Sequence, residues 1–276
     1  MSDEIKTPEH EKREGPRPGT PEFEKLPKAI VLEDIWKTFD GKDYVTKGMN
    51  LEIPKGSLMA IIGFSGTGKS VILKHILGLY RPTKGRIEVL GQDLSEMDNN
   101  QLTVFRRKFG VLFQGAALFD DMTVLENVCF PLSEHRPDLT EPQMIEIATE
   151  KLHSVGLDTK HFEKLPSQIS GGMQKRTGLA RALALDPEIL FYDEPTTGLD
   201  PVLTEMVDNL ILETHQRRAG ITSVMVSHDL QAAFRIADYV AMLDAGKVLL
   251  FGPPSVFFET DIELVRKFVA KGMRHQ

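Results

Sequence analysis

Residues 58–70 read LMAIIGFSGTGKS: five apolar residues, a glycine-rich turn and a Lys-Ser pair. The eight residues from Gly63 to Ser70 satisfy G-x-x-x-x-G-K-[ST] at every required position. The context agrees. LMAII is an apolar run of the kind buried parallel strands show, and SVILKHILGLY, residues 70–80, has helical spacing. The chemistry dictates the residue types. Gly63, Gly66 and Gly68 let backbone N–H groups converge on phosphate oxygens. Lys69 brings a point charge to the β and γ phosphates, and Ser70 offers a hydroxyl to Mg²⁺. Phe64, Ser65, Thr67 and Val71 complete the stretch that would wrap a triphosphate.

Working outward, the same pattern of apolar run and polar end recurs. ILFYDEP, residues 189–195, delivers Asp193 to a sheet edge where it can hold Mg²⁺ or its water. Glu194, one step on, can orient an attacking water as general base. ITSVMVSH ends in His228, and KFGVLFQ ends in Gln114. Either side chain could reach a γ-phosphate or its metal from the carboxyl edge of a sheet, where open α/β sheets bind ligands. An isolated histidine or glutamine is otherwise an ordinary structural residue. VLTEMVDNLILETHQRR, residues 202–218, is helical between two strand candidates. Strand, helix and strand imply a wound α/β sheet. Upstream, AIVLEDIWKTF, NLEIP and later RIEVL are further strand candidates.

Residues from about 115 to 176 differ and are expected to be a helical insertion. TEPQMIEIATEKLHSVGL opens with Thr140-x-x-Gln143, a capping-box pattern. Met144, Ile147, Ala148, Lys151, Leu152 and Val155 follow at helical spacing. The insertion closes on ISGGMQKR, where Ser170, Gly171 and Gly172 stand at the start of a helical run. Bare N–H groups at such a start attract an anion.

Composition bounds the rest. Residues 1–28 mix charges of both signs with five prolines and are expected to be a disordered charged tail. The formal net charge is −7, whereas nucleic-acid binders are more often basic, so no nucleic-acid partner is expected. The lone Cys129 sits among apolar neighbours, reads as a small buried hydrophobe and points to the cytosol. No stretch approaches the roughly 18 apolar residues a membrane span needs, and the N-terminus lacks the apolar core of a signal peptide.

GFSGTGKS, Gln114, ISGGM, ILFYDE, TGLD and His228 stand in the order and at the spacings of ABC-type ATPases, which the chain resembles from about Ala29 to its C-terminus. The resemblance implies ATP and Mg²⁺ as ligands. It implies a RecA-like α/β P-loop core with an antiparallel β subdomain and an inserted helical subdomain, over residues 29–252. Residues 253–276 would be a C-terminal helical extension. Phe39 matches the aromatic position that stacks on adenine, Ser170, Gly171 and Gly172 the signature, Asp200 the D-loop aspartate and His228 the switch histidine. Two copies would dimerise head to tail, the signature of one facing the γ-phosphate held by the other. The chain departs from the pattern at Met173 and Ile169, where the signature usually has glutamine and leucine, and at Val71, where a hydroxyl residue usually follows the loop serine. Methionine lacks an amide's donor and acceptor, while Val71 N–H can still serve the α-phosphate.

GKSVILKHILGL, SGGMQKRTGLARALALDPEIL, YDEPTTGLDP and the final VRKFVAKG resemble the ATP-binding subunits of Mla-type, MCE-associated lipid transport systems. This implies phospholipids or other lipids as cargo, permease subunits and an MCE-domain lipid-binding protein as partners, and a peripheral place on the cytoplasmic face of the inner membrane. The permease would dock along GAALFDDMTVLENVCFPL, residues 115–132. Two alternatives stand beside it: the ATPase of a polar amino acid or osmolyte importer, and a soluble ABC protein of DNA repair, translation or chromosome handling.

Overall fold

The computed structural model describes residues 15–218 and 220–273. The chain divides into two compact units, one holding the residues up to Glu96 together with those from Val226 onward, the other Met97–Met225.

In the first unit a short helix, α1 (Pro21–Glu24), precedes two long strands, β1 (Lys28–Thr38) and β2 (Tyr44–Pro54). These pair antiparallel, and β4 (Lys84–Val89) and β5 (Gln92–Asp93) extend the sheet in the order β2-β1-β4-β5. Alternation places Ile30, Leu32, Met49, Leu51 and Ile53 in its core. Between these strands come β3 (Leu58–Gly63), buried at every residue, and α2 (Lys69–Ile76).

The second unit begins with α3 (Asn99–Phe105) and β6 (Phe109–Leu112). Then come α4 (Val124–His135), α5 (Glu141–Ser154) and α6 (Gly171–Leu183). On α5 the expected stripe points inward through Ala148, Lys151 and Leu152, and the Lys151 ammonium pairs with Asp186 at 2.7 Å. β7 (Ile189–Asp193), α7 (Pro201–Arg217) and β8 (Thr222–Val226) follow, β6 running parallel to β7. The chain then returns to the first unit with α8 (Leu230–Ile236), β9 (Tyr239–Asp244), β10 (Lys247–Gly252), α9 (Pro254–Glu259) and α10 (Glu263–Gly272). β9 lies parallel to β3 and antiparallel to β10.

The segment expected to be a disordered tail over 1–28 differs from that expectation from Gly15 onward; residues 1–14 lie outside the described residues. Phe23 is the reason. It is 2% exposed, meets Tyr239 and Phe251 edge-on at 5.8 and 5.7 Å, and its carbonyl accepts from Lys28 Nζ at 2.7 Å. This buried aromatic pins the segment, and Arg17 adds an ion pair with Glu259 at 2.7 Å.

Cys129 is half-buried, and burial, followed by the charges of Glu126 and Glu141, pushes its thiol up to about 11. It is an inert thiol near neutral pH.

Candidate active site

The glycine loop lies wholly in the first unit, between β3 and α2. It turns because Gly63, Gly66 and Gly68 take φ of +147°, +80° and +101°, which L side chains resist. At Gly63 space is closed as well: a Cβ there would lie 2.5 Å from the Leu243 carbonyl oxygen. Phe64, Ser65, Gly66 and Ser70 are exposed, whereas Thr67, Gly68 and Lys69 are buried and Val71 is intermediate. Thr67 Oγ1 donates to the Phe64 carbonyl at 2.9 Å, and Lys69 Nζ donates to the carbonyls of Gly63 and Phe64 at 2.9 and 3.0 Å. An anion settling over the start of α2 would compete for that ammonium, since a charged acceptor binds it more strongly than a carbonyl does.

The same unit carries Phe39 and His228. Phe39 is 59% exposed, set edge-on to Tyr80 at 5.3 Å with the Lys37 ammonium 5.1 Å from its ring. An exposed, braced aromatic is the form a stacking platform requires. His228 is exposed one residue after Ser227, whose N–H donates to the Ile61 carbonyl of β3 at 3.1 Å. Asp229 caps α8 through Ala232 N–H at 3.0 Å.

The second unit gathers the rest. Asp193 is the last residue of β7. Glu194 follows at φ +46°, a left-handed torsion costing a non-glycine residue roughly 1–2 kcal/mol, and its carboxylate accepts from Thr197 Oγ1 at 3.0 Å. Ser170 caps α6, accepting from Met173 N–H at 3.3 Å. Gly171 is exposed with open space at its Cβ position, whereas a Cβ on Gly172 would meet Met206 Cε at 2.6 Å. Asp200 caps α7, accepting from Val202 and Leu203 N–H, both at 3.0 Å.

Gln114 is exposed two residues beyond the end of β6. Its surroundings expose residues that the sequence reading did not single out. Lys175 Nζ donates to the Gln114 carbonyl, and Arg181 donates to the carbonyls of Ala116 and Ala117 at 2.7 and 2.8 Å. Ala116 and Ala117 stand at φ +60° and +48°. Burial lowers the pKa of both cations, since neutral carbonyls repay little of the lost hydration. Asn127, fully buried, donates to the carbonyls of Phe119, Met122 and Thr123 at 3.0–3.1 Å and accepts from Phe119 N–H at 2.9 Å. Lys175 and Arg181 lie on α6, far along the chain from the carbonyls they reach, so local pattern carries no signal of the contact.

A strand, a glycine loop and a helix in the first unit, and in the second an apolar strand with carboxylates at its last residue and the next, are the parts of a P-loop nucleotide hydrolase. Residues 46–197 match the family described as ABC transporter, and the chain belongs to that family. It is 41% identical over 241 residues, 87% of this chain and 68% of the relative, to the probable ribonucleotide transport ATP-binding protein mkl of Mycobacterium leprae. It is 38% identical to the intermembrane phospholipid transport system ATP-binding protein MlaF of Haemophilus influenzae, over 82% of this chain and 85% of that one. The methionine import ATP-binding protein MetN of Carboxydothermus hydrogenoformans is 38% identical over 87% of this chain and 71% of its own. Among solved structures, the dimeric, post-hydrolysis ATP-binding cassette MJ0796 bound to ADP and Pi superposes with a TM-score of 0.73 at 33% identity, over 82% of this chain and 98% of that one. The chain is an ATPase with the ABC cassette fold.

Proposed function

We propose that this chain hydrolyses MgATP to power a lipid-carrying ABC transporter, working as two head-to-tail copies beneath permease subunits on the cytoplasmic face of an inner membrane. The observation that carries the paired arrangement is the start of α6. Ser170 caps the turn and Gly171 is exposed with open space at its Cβ position, so the N–H groups and dipole at this helix start suit the γ-phosphate of another copy. Asp200 and Val202, exposed at the start of α7, would lie on the same kind of boundary.

Ser70, Asp193 and Gln114 are the residues that would hold Mg²⁺. Mg²⁺ takes most of its ligands from water and phosphate, so one or two protein oxygens suffice. Bound there, Mg²⁺ supplies charge neutralisation on the phosphate oxygens. Lys69 leaves the loop carbonyls for the phosphates, Phe39 stacks on adenine, Glu194 takes the proton of the attacking water and His228 steadies the γ-phosphate. Glu194→Gln should bind ATP, lose nearly all turnover and collect as a dimer on size-exclusion chromatography. Near-normal turnover would remove Glu194 from the role of base.

No helix of the described residues is long and apolar enough to cross a membrane. One observation favours the transport reading. A cavity of about 440 Å³ in the second unit is lined by Phe113, Phe119, Phe130 and Pro131 with Arg106, Arg107 and His135, suited to an amphipathic helix of such a permease. Lipid cargo rests on the motifs shared with Mla-type subunits and on the MlaF relative. The MetN relatives support a second reading, an amino acid importer. Purification from membranes separates them: an MCE-domain lipid-binding protein accompanies the chain in the first case, a soluble binding protein in the second.

A further inference from the structure

The glycine loop is held partly from outside itself, by the C-terminal helix. Phe64, the second residue of the loop, is 42% exposed, yet its ring meets Phe268 of α10 edge-on, centroids 4.8 Å apart at 77°. α10 is well anchored. Val265 and Val269 are buried, a Cβ on Gly272 would lie 2.7 Å from Leu230 Cδ2, and Gln231 Nε2 donates to the Gly272 carbonyl at 3.4 Å. Leu230 and Gln231 open α8, directly after His228 and Asp229. A cavity of about 470 Å³ is lined by Phe64, His228, Gln231, Phe268 and Lys271. One helix thus touches both the loop and the segment that presents the histidine, all within the first unit.

We propose that Phe268 is a positioning residue for nucleotide binding, acting through Phe64. The reason lies in what Lys69 does. In the structure its ammonium grips the Gly63 and Phe64 carbonyls. When it turns to a triphosphate, residue 64 loses that grip and keeps the Thr67 hydroxyl and the Phe268 ring. The aromatic contact is therefore worth more with nucleotide bound than without, and only such a difference changes affinity. Apolar packing at this position also survives the arrival of a charged ligand, which a polar strut would not do without competition.

This inference rests on the loop being the ATP site, and the test separates the two. Binding of a fluorescent ATP analogue and of MgADP, steady-state ATPase kinetics and thermal melting are measured for the wild type, Phe268→Ala, Phe268→Tyr, Phe64→Ala, the double variant and Val265→Ala. An edge-on pair of this kind predicts a rise in Kd and KM of about two- to tenfold for Phe268→Ala, with kcat little changed. Phe268→Tyr should restore affinity, and Phe268→Ala should add nothing in the Phe64→Ala background. Val265→Ala should lower the melting temperature without that shift in Kd. Unchanged affinity in Phe268→Ala, additive effects of the two phenylalanine changes, or an equal Kd shift in Val265→Ala would each overturn the positioning role while leaving the ATP site intact. A wild type that fails to bind nucleotide would overturn both.

Discussion

Gly171 separates stability from chemistry at the scale of one residue. A methyl group there meets nothing within 4 Å, and alanine is a better helix former than glycine by up to about 1 kcal/mol. Gly171→Ala should therefore leave the melting temperature of the single chain unchanged or slightly raised. If the start of α6 receives a phosphate from another copy, the same methyl blocks that approach and ATPase activity falls at least tenfold. Full activity in this variant, measured beside its melting curve, would place the α6 start outside the reaction. Asp200 needs the opposite care: its carboxylate already serves two N–H groups of α7, so removing it costs about 1 kcal/mol of helix capping besides any effect on turnover.

At the scale of elements, α6 and the loop after β6 behave as a gripped pair. The carbonyls of Gln114, Ala116 and Ala117 all accept from α6 cations, and Gly178 leaves room for Leu112 and Ala116 within about a van der Waals contact. Two consecutive alanines with left-handed torsions would relax without that grip. Arg181→Ala strands the buried Ala116 carbonyl and should cost about 1–3 kcal/mol in chemical denaturation, with a parallel loss of ATPase activity if the loop that carries Gln114 loosens. Arg181→Lys should recover part of the loss: an ammonium can serve two consecutive carbonyls, as Lys69 does in the glycine loop, but without the fixed geometry of the planar fork. Stability unchanged in Arg181→Ala would show the grip to be dispensable.

Elements also divide what the sequence displays from what it conceals. β3, α2, β7 and α5 are local: an apolar run or a 3.6-residue stripe, a glycine turn and a cap all lie within about a dozen consecutive positions, so period and spacing suffice. Gly63–Ser70, Asp193 and Ser170–Gly172 are legible for the same reason. The grip of Arg181 on Ala116 and of Phe268 on Phe64 joins residues far apart in the chain, and nothing in local period encodes which distant surface a side chain will find. The order of residues 15–28 escaped for the same cause: composition weighs a charged, proline-rich leader as a whole, while Phe23 finds its partners, Tyr239 and Phe251, near the other end of the chain.

For the molecule as a whole, ligand binding should register as heat resistance. Anything bound to the native state alone stabilises it by about 2.7 kcal/mol at a hundredfold excess over Kd, which for a domain of 150–250 residues is a rise of roughly 5–10 °C. MgATP should produce such a shift in Glu194→Gln, where turnover does not consume it, and little or none in Lys69→Ala, where the loop lacks its ammonium. Equal shifts in both, followed by scanning fluorimetry, would mean that nucleotide binds elsewhere.

The left-handed torsion at Glu194 carries a consequence for anyone engineering this protein. A library sorted only for survival on heating has reason to replace that glutamate with asparagine or glycine, whose backbones tolerate the bend. If Glu194 is the base, the winners would be sturdier scaffolds with idle engines, so selection for robustness needs a turnover assay alongside it.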